Sequence, residues 1–276
     1  MKIHRSLDKG TLLGLALAAG GICGGLLLEG GTLREILQPT AAIIVLGGTI
    51  GATLVGQPFG VFLGACRQLG RLFFDEDADL PEAVRQMSGY AAKARRNGIV
   101  SLEKDIAGLE GSFLKKALNL AVDGTEPQEI RRMMELEVTL EESRREAEAR
   151  VLEAAGGYAP TIGIIGAVLG LIQVMKHLDN IQEVGKGIAV AFVATIYGVG
   201  LANVVLLPAA AKMRAKAQGR QRASELLLEG VIGIAEGLNP RLVEAKLEAF
   251  LDQRPVAPAP AAEAAKVTPR QPAPGA

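Results

Sequence analysis

The sequence predicts an all-α integral membrane protein, with four transmembrane helices and a helical cytoplasmic domain between the second and third. Three observations carry that reading. Residues 10–28, 39–66, 154–175 and 187–211 contain no Asp, Glu, Lys, Arg or His. Each stretch is near or above the length of about 20 apolar residues that crosses a hydrocarbon core. Basic residues gather at alternate ends of these stretches, and the long segment between the second and third has apolar residues at helical spacing. Leu109, Phe113, Leu114, Ala117, Leu118 and Ala121 are an example.

The first stretch follows Lys2, Arg5 and Lys9, as the apolar run of a signal peptide would. No Ala-x-Ala-like site follows it, and Glu29-Gly30-Gly31 reads as a loop, so it is taken as a retained span. Basic residues then set the orientation. The N-terminal segment, the exit of span two (Arg67, Arg71) and the exit of span four (Lys212, Arg214, Lys216, Arg220, Arg222) are all basic. In the loops 29–38 and 176–186, acids offset the few bases. Both termini and residues 67–153 are therefore expected in the cytoplasm. Cys23 and Cys66 stand singly inside spans and imply no disulfide framework.

The expected organisation is a membrane unit over residues 1–66 and a cytoplasmic helical domain over 67–153. Spans three and four follow over 154–211, then C-terminal cytoplasmic helices over 212–253 and a disordered Pro/Ala-rich tail over 254–276. Pro81 and Pro127 each sit where a helix can begin. Residues 135–153 carry opposite charges three or four apart, the mark of a solvated helix. That helix is expected to run directly into span three. Asn239-Pro240 interrupts the apolar stripe of Leu226, Leu227, Val231, Ile234 and Ala235.

Glycines recur at four-residue spacing, as Gly20/Gly24, Gly21/Gly25, Gly47/Gly51, Gly56/Gly60/Gly64 and Gly166/Gly170. The spacing predicts helices that pack against other helices. Most hydroxyls within the spans suit bonds back to their own helix. Thr161, which follows Pro160, and Thr195, set among small residues, are the candidates for a role in a path. Pro160 and Pro208 each remove a backbone donor, which either frees a carbonyl or simply kinks the helix. No span contains a carboxylate, although ion pathways commonly need one. Either nothing is conducted or another chain supplies the acid.

Nothing looks catalytic, and no cofactor or metal is expected. Gly185-Lys186-Gly187 lacks the rest of a phosphate loop, and His4 and His177 are isolated. With 30 basic and 30 acidic residues, the chain offers no footprint for nucleic acid.

In the block Tyr90-Ala91-Ala92-Lys93-Ala94-Arg95-Arg96-Asn97-Gly98-Ile99-Val100-Ser101-Leu102-Glu103, charges alone describe an ordinary solvated face. The block resembles, however, the Arg-x-x-Gly-[apolar]-x-x-Leu-Glu element of the MotA/PomA family of flagellar stator proteins. Three further stretches resemble the same family. They are Phe113-Leu114-Lys115-Lys116-Ala117-Leu118 with Asp123-Gly124, Ala159-Pro160-Thr161-Ile162-Gly163, and the run from Leu228 to Arg241. The last is the most specific, because its Glu-Gly…Glu-Gly-x-Asn-Pro-Arg string has no evident general structural reason.

The resemblance implies an ion-conducting stator subunit in the inner membrane. Five copies would surround two copies of a MotB/PomB-type single-span partner that carries the ion-binding Asp. It implies that Arg95, Arg96 and Glu103 face a rotor switch-complex protein. Pro160 and Pro208 would link ion passage to movement, with Thr161 and Thr195 lining the path. The transported ion is H+ or Na+, with protons expected. The alternative is an ExbB/TolQ-type energiser of outer-membrane processes; that group has three spans, with the long insertion after the first.

Overall fold

A computed structural model of the chain describes residues 6–75, 79–109 and 112–251. The expected tail at 254–276, and the basic residues Lys2 and Arg5, lie outside the described residues. Among the described residues, four helices are long and apolar enough to cross a membrane. They are α1 (Lys9–Leu28), α3 (Pro39–Gly56), α8 (Pro127–Lys176) and α9 (Ile181–Ala235). Between α1 and α3 lies the short α2 (Leu33–Ile36). Between α3 and α8 come α4 (Phe59–Arg71), α5 (Leu80–Asn97), α6 (Glu103–Ala107) and α7 (Ser112–Val122). The last described helix is α10 (Pro240–Glu248).

The helix starts follow local chemistry. Asp8 caps α1 by accepting from the Thr11 N–H at 2.9 Å, and Asp79 caps α5 by accepting from Glu82 at 3.0 Å. Asn180 and Asn239 do the same for α9 and α10. Each satisfies a first-turn donor that no carbonyl can reach. Pro127 and Pro240 occupy first-turn positions, where a missing N–H costs nothing.

Residues 39–66 do not form one helix, as the charge-free stretch had suggested. The helix ends at Gly56, and Gln57 is extended (φ −135°, ψ 143°) ahead of Pro58. A proline disfavours helical backbone at the residue before it. The 18 residues of α3 still reach about 27 Å, enough to cross. Beyond the break, α4 packs Ala65 inward while Phe59, Arg67 and Arg71 stay exposed.

The charged run before span three does continue into it without interruption. The resulting α8 has 50 residues, a rod of about 75 Å. Likewise α9 carries span four and the following segment as one 55-residue helix. Two turns with π-type bonding widen the spans, Ile43–Gly47 in α3 and Leu201–Leu206 in α9.

The membrane-spanning parts of α8 and α9 touch backbone to backbone. A Cβ on Gly198 would fall 2.5 Å from the Ala159 carbonyl oxygen, and one on Gly170 would fall 2.8 Å from that of Gly187. Gly64 likewise faces the Glu148 carboxylate. Elsewhere this chain alone supplies no packing partner: Gly20, Gly21, Gly24, Gly25, Gly47, Gly51 and Gly60 have no neighbour within 4 Å of a Cβ position. No residue of α1 is buried within this chain, so its glycine faces lie open.

The extramembrane domain has its own core, built from α5, α7, the start of α8, the end of α9 and α10. Met87, Leu102, Leu118, Ile130, Met134, Leu226 and Leu247 are fully enclosed there. Where spans leave the membrane, a second cluster joins Ala65, Leu72, Leu152, Leu206 and Met213. Here a two-residue antiparallel ladder pairs Ser6 with Asp75 and Leu7 with Phe74.

Candidate functional site

Two regions hold the residues singled out from the sequence. The first is the seam between α8 and α9. Pro160 lies inside α8, half-buried, and its ring nitrogen cannot donate to the carbonyl of Gly156 four residues earlier. A Cβ on Gly156 would meet the Leu207 side chain at 2.7 Å, and Leu207 immediately precedes Pro208. The two prolines thus flank one crossing of the helix pair. Pro208 itself is exposed and follows the widened turn Leu201–Leu206.

The two threonines sit higher on the same pair. The Thr161 hydroxyl donates back to the Tyr158 carbonyl at 2.8 Å, and that of Thr195 donates to Ala191 at 3.2 Å. Each keeps hydroxyl lone pairs available as acceptors. Thr161 is exposed on an otherwise apolar face with Ile164, Ile165 and Val168; Thr195 is half-buried beside Gly163. Asn203, also exposed, donates to the Val199 carbonyl at 2.9 Å from within the widened turn.

The second region is the far end of the domain. Pro127 opens α8 about 40 Å of helix before the charge-free stretch begins at Ala154. At that end α5 finishes with Arg95 and Arg96, both exposed. Gly98 then turns the chain with φ +81°, and a short turn buries Leu102 completely. Glu103 follows, exposed, as the first residue of α6. Lys93 reaches Asp105 at 2.5 Å and ties the helix end to α6. Arg95, Arg96 and Glu103 make no ion pair with any described residue, nor with one another.

Two charge clusters escaped the sequence reading. Asp8 is buried and pairs with Lys212, with Lys216 at 3.6 Å. Burial alone would raise its pKa, but the Lys212 ammonium and the Thr11 N–H hold it well below the usual carboxylate range. The pair fastens the start of α1 to the exit of span four. It had no signature, because its partners are separated by some two hundred residues.

The second cluster corrects the reading of the run from Leu228 to Arg241, which has a structural reason after all. Glu229 accepts from Arg131 at 2.5 Å and pairs with Lys246 at 2.5 Å, joining α9 to α8 and α10. A Cβ on Gly230 would strike Met87 at 2.7 Å, Gly237 turns with φ +70°, and Asn239 caps α10. Burial pushes the Glu229 pKa up, but the two cations hold it below its ordinary value overall. Glu229→Ala is expected to destabilise the domain by about 1.5–3 kcal/mol, seen as a lower thermal midpoint of the purified protein. Because the folded pKa is lowered, this contribution is present above the usual carboxylate pKa of about 4.3. It is lost as pH falls below that value, so wild type and variant should converge in acid.

These features define a polytopic helical membrane protein whose paired third and fourth spans continue as rods into an extramembrane domain. Residues 105–225 match the MotA/TolQ/ExbB proton channel family, and residues 12–98 match the motility protein A N-terminal family. Over 247 residues the chain is 36% identical to Motility protein A of Bacillus subtilis (strain 168), covering 89% of this chain and 91% of that one. The chain belongs to the motility protein A branch of the MotA/TolQ/ExbB proton channel family. The solved structure of C. jejuni MotAB aligns with a TM-score of 0.84 at 33% identity, covering 91% of this chain and 100% of that one. The flagellar MotAB stator complex from Bacillus subtilis gives 0.80 at 36% identity, covering 88% and 96%.

Proposed function

We propose that this chain is the membrane-embedded stator subunit of a bacterial flagellar motor, converting transmembrane ion flow into rotor torque. The observation that carries the reading is its likeness, over 88% of this chain, to the flagellar MotAB stator complex. The charge-free spans fit this division of labour: a path without a carboxylate of its own needs one from another chain. A single-span partner of the MotB/PomB type supplies it, and five copies of this chain surround two of that partner. Pro160 and Pro208, flanking one crossing of α8 and α9, couple ion passage to movement, and Thr161 and Thr195 line the path. Arg95, Arg96 and Glu103 meet the rotor switch-complex protein.

The protein resides in the inner membrane with both termini and the helical domain in the cytoplasm. Catalysis and a cofactor have no place in this scheme. The energiser reading is disfavoured by the two spans that precede the inserted domain and by the match of residues 12–98 to the motility protein A N-terminal family. Co-expression with a single-span partner of the MotB/PomB type in cells lacking stators should restore swimming; a complex that assembles and leaves the cells non-motile contradicts the proposal. Protons are the coupling ion, so swimming speed should not change when sodium is replaced by potassium, whereas arrest without sodium would reverse that choice.

A further inference from the structure

We propose that the slot between α1, the end of α4 and α9 holds one acyl chain of an anionic phospholipid, with the phosphate at its basic mouth. The inference rests on the fold of the spans and goes beyond the stator reading. The slot has a volume of about 410 Å³. Thr11, Leu15 and Ala18 line it from α1, at spacings of four and three that share one helix face. Leu69 and Leu72 line it from α4 and its end, and residues between Asn203 and Lys212 line it from α9.

Depth and shape point to the occupant. From Gly10 to Ala18 along α1, and from Asn203 to Lys212 along α9, the slot extends about 12–14 Å. One leaflet of hydrocarbon is about 15 Å deep. The slot therefore runs through most of the leaflet beside the extramembrane domain. Its walls are apolar apart from Thr11, Asn203 and Lys212, and Asn203 already donates within its own helix. Water would lack the several polar partners it needs there. No residue of α1 is buried, so the slot stands open along its side to the bilayer. An extended hydrocarbon chain running parallel to the spans meets all of these conditions.

At the domain end the mouth is basic. The Lys212 ammonium engages Asp8 and Thr11, which leaves one of its three donors for a phosphate oxygen. The carboxylate there, Asp8, is shared with Lys216, at 3.6 Å from it. Lys9 and Arg71 adjoin the lining residues Gly10 and Leu72; both are exposed and form no ion pair with a described residue. Each such base favours an anionic headgroup over a neutral one by about fivefold.

The test uses the full chain with a single-span partner of the MotB/PomB type, in membranes of phosphatidylglycerol and phosphatidylethanolamine. A photoreactive residue replaces Leu15 on the slot wall, and in a second strain Leu13, which is 62% exposed on another face of α1. Mass spectrometry after illumination identifies what each position has captured, a readout that does not depend on motility. The Leu15 probe is expected to capture lipid with a phosphatidylglycerol-to-phosphatidylethanolamine ratio at least fivefold above that of the Leu13 probe. Lys9→Gln combined with Arg71→Gln should bring the two ratios together, with unchanged amounts of complex in the membrane. The proposal is overturned if the Leu15 probe captures a second copy of this chain, or the single-span partner, in place of lipid. It is equally overturned if both probes capture the two lipids in the same ratio, or if the double variant assembles and keeps the preference. Should the double variant fail to assemble, the comparison of the two probes in the otherwise unaltered chain decides.

Discussion

Gly198→Leu is expected to reduce the assembled complex in the membrane at least tenfold. A Cβ at this position would sit 2.5 Å from the Ala159 carbonyl oxygen and 3.1 Å from the Gly163 Cα. Both neighbours are backbone, so no side-chain rotation relieves the clash and α8 must part from α9. Overpacking of this kind costs about 1–3 kcal/mol and more where backbone is displaced. Nothing in lipid offsets that loss, since close packing is itself what holds spans together. The paired control is Gly14→Leu on α1, where the position opens onto free space. Membrane-fraction amounts and co-purification with the partner distinguish the two; equal assembly of both variants would refute the account of the seam.

Charge reversal at the far end is expected to do the opposite, removing motion while sparing assembly. Arg95→Glu combined with Glu103→Lys should abolish swimming, with wild-type amounts of complex in the membrane. Both side chains are exposed and form no ion pair with a described residue, so the fold loses little when their signs change. Contacts between rim charges steer and register a partner more than they stabilise it, which is why sign matters more than size. Unchanged swimming in the double reversal would remove the rotor contact from these residues.

The spans were legible because lipid leaves the chain little choice. A segment that satisfies its own backbone there does so as a helix nearly free of charge, and four stretches met both conditions. The continuity of α8 from charged rod to span was also legible, since neither Pro nor Gly interrupts the helical pattern between Pro127 and Gly156. Where one residue decides an outcome, reading was harder. The charge-free run 39–66 hid the end of span two, although Gln57-Pro58 carried a local signal for it.

Contacts between distant segments left no trace at all. Glycine spacing looked alike in α1 and α8, yet only the second is packed within this chain, because packing depends on what lies opposite. Asp8 is held by Lys212, and Glu229 by Arg131 and Lys246; sequence separation conceals such pairs. For the same reason the run from Leu228 to Arg241 showed no structural reason in the sequence, although much of it closes a domain core. Arg95, Arg96 and Glu103 were named from resemblance; their exposure without described ion-pair partners is what the structure adds.

The central claim is that this chain is one part of a path whose ion-binding carboxylate arrives on another protein. Ion flux into liposomes tests it most directly, with this chain reconstituted alone, with its single-span partner, and with a partner whose membrane-embedded Asp is replaced by Asn. Flux is predicted only with the intact partner. Equal flux from this chain alone, or through the Asp→Asn complex, would contradict the account.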